Sequence, residues 1–219
     1  MSAPLATLAT NDHGRPVTVF GGVIFSRVGQ TNINTLSDIK GKNIAIVNID
    51  SMGGYQAQAY ELKQVGISLP QDAKLFVTGV PHDKVIEAVL TGRAEVGFVR
   101  SGVLEDMVYE GKLDMTQLKI LNSHNLPDVS VQVSTKIYPE WPIAALSHID
   151  ENLARHVAAA LFMVEENIKA THAMGIHGFV VPADYSPVFD LLRELRCHLS
   201  TRRLYSHWPI CGISTWSGS

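Results

Sequence analysis

The sequence of 219 residues predicts an α/β fold in which short strands alternate with helices. Compact apolar runs of strand length are repeatedly followed by segments with helical spacing, and glycines stand where the helical segments end. Apolar residues at 46% and charged residues at 18% are typical of an ordinary globular domain. The strand–helix–strand order favours crossover connections, so we expect mixed, mostly parallel sheets flanked by helices.

The strands are predicted from short runs rich in β-branched residues without helical periodicity. In the first run the Gly21–Gly22 pair indicates a bulge or a close approach of another part of the chain. The strands are predicted at residues 17–27, 43–48, 75–78, 95–99, 119–121, 129–134 and 179–181.

The helices are predicted from three- and four-residue apolar spacing and from residues that favour helix ends. Gly66 and Gly92 stand where a helix would finish, and the longest segment has an apolar face that includes Leu153 and Val157. The helices are predicted at residues 35–41, 55–65, 81–90, 150–170 and 188–195, with a further one beginning after residue 102.

The turn after the strand at 43–48 is the first candidate ligand site. The residues that form it are Ser51, Met52, Gly53, Gly54 and Tyr55. At the start of a helix, free N–H groups and the helix dipole favour an anion, and glycines let an oxyanion approach the backbone. Ser51 and Tyr55 can add hydroxyl donors. The alternative is a capped helix start without a ligand, with Asp50 or Ser51 as the N-cap.

Two further strand-to-helix junctions carry candidate residues. His82 opens a helix and can donate to an anion, with Asp83 capping the helix or orienting the ring; otherwise it is a partly exposed histidine. Arg100 and Ser101 follow an apolar strand, where a guanidinium can bind an oxyanion; otherwise the arginine forms a surface salt bridge. Strand carboxyl ends are where open α/β sheets bind ligands, which favours one shared site.

Several functional classes are disfavoured by the sequence. A net charge of −3 gives no basic surface for nucleic acid, and the apolar runs are shorter than the roughly 20 residues of a membrane span. We find no nucleophile motif, phosphate-binding loop or metal-ligand spacing, and we expect no catalytic residue, metal or cofactor. Cys197 and Cys211 lie in an atypical tail at 197–219, so the predicted domain has no disulfide framework.

Several stretches together resemble the phosphate/phosphonate-type periplasmic binding proteins of type II, in particular the branch fused to sensor histidine kinases. They are FGGVIFSR, LSDIKGKNIAIVNIDSMGGY, TGVPHDKVIEAVLTGRAEVGFVRSGVLE, YPEWPIAAL and GFVVPADYSPVFDLLREL, within residues 16–196. The resemblance implies two lobes that close on a hinge around a ligand, with the DSMGGY turn and His82 in contact with it. Met52 and Gly53 replace hydroxyl residues common in phosphonate binders, which leaves the oxyanion unspecified.

From the resemblance we expect residues 1–27 and 126–196 to form parts of lobe 1 and the hinge, and residues 28–125 to form lobe 2. Family members are exported and begin with a further part of lobe 1. The opening residues of this sequence have neither that part nor the basic and apolar pattern of a signal peptide, so we expect a fragment of a larger exported protein. The expected function is recognition of a small oxyanion in the periplasm, without enzymatic activity, for a sensor kinase. The expected partner is a kinase or cyclase domain in the same chain.

Three alternatives remain at this stage. The first is a solute-binding protein that delivers phosphate or phosphonate to an ABC permease. The second is an enzyme of related fold, such as a pyrimidine-precursor synthase, which would require a catalytic histidine cluster. The third is a truncated product without function, for which the tail at 197–219 is the indication.

Overall fold

The computed structural model describes residues 3–12, 15–124, 131–164, 171 and 175–195. Its strands are β1 Ala3–Asp12, β2 Arg15–Val17, β3 Val19–Phe20, β4 Gly22–Arg27, β5 Asn43–Ile46, β6 Lys74–Val77, β7 Val96–Arg100, β8 Leu118–Leu121, β9 Tyr138–Pro139, β10 Pro142–Ala145 and β11 Ile176–Val180. Its α-helices are α1 Ala57–Gln64, α2 Asp83–Leu90, α3 Val103–Tyr109, α4 Glu151–Phe162 and α5 Ser186–Glu194. Single turns of 3₁₀-helix lie at Leu36–Ile39 and Met115–Gln117.

The larger sheet has five strands in the order β6-β5-β7-β4-β8. Strand β5 pairs in parallel with β6 and β7, as the crossover pattern predicts. Strand β4 runs antiparallel to both β7 and β8, so it alone opposes the direction of the other four strands, and this sheet is mixed and mostly parallel, as predicted.

The smaller sheet is antiparallel, with β1 between β10 and β11 and with β2 paired to the end of β1. Between the two sheets the chain passes through β3 in one direction and β9 in the other. These two segments pair with each other, with Val19 opposite Pro139 and Phe20 opposite Tyr138. We call this pair the connecting ladder.

Residues 22–27, which the resemblance assigns to lobe 1 and the hinge, form β4 and pair within the larger sheet. The chain therefore leaves the connecting ladder at Gly21 and enters the larger sheet directly. The limits of the two predicted lobes stay a prediction, and the tail at 197–219 lies outside the described residues.

The buried core lies mainly on the two faces of the larger sheet. One cluster, around Phe25 and Val99, packs beneath α2 and α3; the other, around Ile24 and Phe98, packs beneath α1. Alternate residues of β4 and β7 thus face opposite sides, as the two-residue period of a strand requires. A third cluster, which includes Phe20, Tyr138 and Leu191, joins the connecting ladder to α5.

Two sequence-based expectations differ from the structure. Residues 131–134, the described part of the strand predicted at 129–134, form no strand, because Ser134 and Thr135 use their hydroxyls to accept the β4 amides. The helix predicted at 150–170 begins at Glu151 and ends at Phe162, and residues 165–170 are not among the described residues. Its apolar face is partly open to solvent: Leu153 is 54% exposed and Val157 is 38% exposed.

Candidate functional site

The turn after β5 is one π-helical turn, Met52–Gln56, that leads directly into α1. Ser51 is the N-cap, and its hydroxyl accepts a hydrogen bond from the Gly54 amide at 3.1 Å. The amide N–H groups of Met52 and Gly53 have no hydrogen-bond partner within the described part of the chain. The turn is thus a capped helix start that still presents backbone donors.

Gly53 and Gly54 allow two charged or ionisable side chains to pack against this turn. A Cβ atom built at Gly53 would lie 3.1 Å from Cγ of Arg100, and one built at Gly54 would lie 2.9 Å from Cε1 of His82. Both glycines are buried, and the side chains of Arg100 and His82 pack directly against them. This close packing requires both glycines. It brings together the turn, the end of β7 at Arg100 and the start of α2 at His82.

Arg100 is held by two groups that the sequence analysis did not assign to the site. Its guanidinium lies 4.3 Å from the centroid of the Phe20 ring and forms an ion pair with the carboxylate of Glu140. The Glu140 side chain is completely buried, whereas the Arg100 side chain is 26% exposed. Arg100 therefore forms a buried salt bridge instead of the surface one considered from the sequence, and part of its guanidinium remains accessible.

His82 lies at the start of α2 with its ring against Gly54. Burial lowers the pKa of His82, the nearby Arg100 charge lowers it further, and Asp83 partly opposes both effects. The neutral imidazole therefore predominates at pH 7. Its Nδ1 is buried and has no hydrogen-bond partner among the described residues, so Asp83 does not orient the ring.

The other predicted residues have mainly structural contacts. Tyr55 is 8% exposed and packs within the apolar cluster beneath α1, while Met52 is half-buried against the cluster of the connecting ladder. The Ser101 hydroxyl accepts the Gly21 amide at 3.0 Å, and the Ser101 amide donates to the Gly21 carbonyl at the same distance. Ser101 therefore fixes the end of β7 to the connecting ladder.

Gln58 holds the turn in place from within α1. Its buried amide nitrogen donates to the Gly53 carbonyl at 2.7 Å and to the Val99 carbonyl at 2.9 Å. A Cβ at Gly22 would lie 2.4 Å from that nitrogen, which confirms the predicted close approach at the glycine pair. Gln58 has no sequence signal beyond its position in a helix. Glu140 does have a sequence signal, because it is a single carboxylate flanked by prolines and aromatic residues.

Sheet topology explains why these groups meet. Strands β6, β5 and β7 are adjacent and parallel, so their carboxyl ends lie at one edge of the larger sheet. His82 follows β6, the Met52–Gln56 turn follows β5, and Arg100 ends β7. The arrangement offers backbone amides, a neutral imidazole and a guanidinium, all of which can donate hydrogen bonds to an oxyanion.

Within the described ranges, no three His, Cys, Asp or Glu side chains converge in a way that could hold a metal ion. The helices of those same ranges are all too short or too polar to cross a lipid bilayer.

Solved structures with the same fold include those of two bacterial proteins. XAC2383 of Xanthomonas citri, solved bound to ATP, has a TM-score of 0.66 at 19% identity, and covers 94% of this chain and 73% of its own. PhnD1 of Prochlorococcus marinus, in complex with methylphosphonate, has a TM-score of 0.61 at 16% identity, and covers 89% of this chain and 71% of its own. These similarities confirm the predicted type II periplasmic-binding-protein fold.

The chain is also similar to a longer protein, the tetrathionate sensor histidine kinase TtrS of Salmonella typhimurium. The two are 32% identical over 202 residues, which is 92% of this chain and 33% of the kinase, so the chain spans about a third of that relative. Residues 2–186 match the family described as the periplasmic substrate-binding protein of phosphonate ABC transporters. This chain therefore belongs to the phosphonate-type family of periplasmic binding proteins.

Proposed function

We propose that this chain is the ligand-binding domain of a periplasmic sensor and that it recognises a small oxyanion at the turn Met52–Gln56. The observation that carries the proposal is the convergence of His82 and Arg100 on Gly53 and Gly54 at the ends of three adjacent parallel strands. Ligands of open α/β sheets bind at this edge. The proposed binding set is Ser51, Met52, Gly53, Gly54, Tyr55, His82, Arg100 and Ser101. Within this set, Tyr55 and Ser101 hold the neighbouring backbone in place.

The kinase relative supports the sensing role. The match covers a third of that kinase, so the rest of the relative lies outside the region that resembles this chain. By analogy, the proposed partner is a kinase domain in the same polypeptide, with the binding domain in the periplasm. The family match supports a second candidate, a solute-binding protein that delivers its anion to an ABC permease. The neighbouring coding sequence separates them, because a continuous kinase favours sensing and an adjacent permease favours transport.

Isothermal titration calorimetry of the chain with phosphate, methylphosphonate, sulfate, thiosulfate and tetrathionate tests the binding site. We expect at least one of these anions to bind, and a His82→Asn variant to bind it more weakly. His156→Asn is the matched control, because His156 is exposed on α4 and bonds only within its own helix among the described residues. If no anion binds, or if both variants bind equally well, the proposed site is wrong.

A further inference from the structure

Glu140 is a completely buried carboxylate that reaches the candidate site from the connecting ladder. Its backbone amide donates to the Thr18 carbonyl at 2.8 Å, and the Tyr185 hydroxyl donates to the Glu140 carbonyl at 2.7 Å. The backbone of Glu140 is therefore fixed beside the smaller sheet, whereas its partner Arg100 ends β7 of the larger sheet. The ion pair joins the two sheets next to the anion-binding turn.

The charge of Glu140 works against the proposed ligand. Arg100 is the cation that packs on Gly53, and Glu140 neutralises it. The second carboxylate oxygen, Oε2, is buried and has no hydrogen-bond partner among the described residues. A buried carboxylate with one unsatisfied oxygen is stable in its ionised form only while its ion pair persists. An anion that draws Arg100 away would leave this carboxylate buried without a counter-charge.

The groups around Glu140 indicate how this conflict is resolved. Burial raises the pKa of Glu140, and the Arg100 charge, the Arg100 hydrogen bond and a hydrogen bond from the Trp141 backbone amide together lower it by less. Tyr185 stays neutral because burial also raises the pKa of its hydroxyl. His82 is neutral at pH 7, since burial and Arg100 lower its pKa. Arg100 is therefore the charged neighbour that favours the ionised carboxylate, and its contribution is larger than that of the Trp141 amide.

We propose that Glu140 couples anion binding to the uptake of a proton, a regulation that rests on the proposed function. The anion takes hydrogen-bond donors of Arg100 that Glu140 holds in the free protein. The released carboxylate then accepts one proton from solvent and remains buried as a neutral acid. Binding is tighter at low pH, and the affinity falls as the pH rises from the pKa of Glu140 in the free protein towards its pKa in the complex, by up to about tenfold per pH unit.

Calorimetry with sulfate and tetrathionate tests this coupling, because the charges of these two anions do not change between about pH 5 and pH 8. Titrations in buffers of different ionisation enthalpy count the protons taken up on binding. We expect uptake of up to one proton per anion by the unaltered chain. In the Glu140→Gln variant we expect no uptake, an affinity independent of pH, and binding at pH 8 that is about tenfold tighter than in the unaltered chain.

Two variants identify the proton acceptor. Glu87→Gln removes an exposed carboxylate that pairs with Arg93 on the surface, and should leave the proton count unchanged. His82→Asn, where it still binds, should retain the uptake; loss of uptake in this variant would assign the proton to the histidine and overturn the proposal. The proton count of the unaltered chain carries the test even if Glu140→Gln does not fold.

The remaining outcomes separate this inference from the proposed function. If neither anion of this experiment nor any of the wider panel binds, the proposed function and the coupling are both wrong. If an anion binds without proton uptake, or if uptake persists in Glu140→Gln, the coupling alone is wrong and the oxyanion site stands.

Discussion

Substitution of Gly54 by alanine should separate ligand binding from folding. The added Cβ would lie 2.8 Å from the Ser51 hydroxyl and 2.9 Å from Cε1 of His82, whereas ordinary contacts begin at 3.4 Å. Both side chains must therefore withdraw by about half an ångström or more, which is large for groups that have to match one anion. Gly54 lies in a helical turn and its φ is not in the left-handed region, so the backbone accepts alanine.

The two contributions to stability partly cancel at this position. Overpacking costs about 1–3 kcal/mol, and the higher helix propensity of alanine returns about 1 kcal/mol. We expect Tm to fall by no more than about 8 °C, while anion affinity falls at least about tenfold because Ser51 and His82 both shift. Gly29→Ala is the matched control, since no atom lies within 4 Å of its added Cβ.

Thermal denaturation and calorimetry on the three proteins measure both effects. A folded Gly54→Ala variant that binds the anion within about twofold of the unaltered chain would refute this role of the turn, since the fixed positions of Ser51 and His82 would then be irrelevant to binding.

The remaining predictions concern groups that hold the site in place. Gln58→Leu leaves two buried carbonyls without their donor and should reduce the free energy of unfolding by about 2–4 kcal/mol, whereas Gln64→Leu on the exposed face of the same helix should change it by less than about 0.5 kcal/mol in urea denaturation. Thr135→Val removes the hydroxyl that accepts the Gly22 amide at 2.8 Å and should cost about 1–3 kcal/mol in the same assay; an unchanged midpoint would contradict this role. The pKa of Glu140 is raised in the folded state, so its contribution favours folding below the ordinary glutamate pKa and is lost as the pH rises through the raised value. The stability of the unaltered chain should thus fall relative to Glu140→Gln over that interval, and parallel pH profiles of Tm would argue against it.

The sequence predicts the position of the turn because its signals are local. The apolar run at 43–48 stops before Asp50, helical spacing resumes within a few residues, and Gly66 adopts the left-handed φ of +82° that ends the helix. The same local signals identify β6 and β7 and the helices that follow them. Parallel pairing then brings three predicted junctions to one edge of the sheet.

The long-range contacts at this edge have no comparable signal. Glu140 and Arg100 are 40 residues apart in sequence, and their meeting depends on the connecting ladder, whose strands have two residues each. The role of Gly54 is also nonlocal, because it depends on the distance to the His82 ring. The strand that contains β4 was predicted, but its antiparallel direction was not, since local residue pattern does not determine strand direction.

A crystal structure of the chain with tetrathionate, located by the anomalous scattering of its sulfur atoms, tests the central claim most directly. We predict sulfur peaks at the Met52–Gln56 turn, with anion oxygens within hydrogen-bond distance of the Gly53 amide, the His82 ring and the Arg100 guanidinium. Peaks at another surface, with His82 and Arg100 packed on the turn and making no contact with the anion, would contradict it.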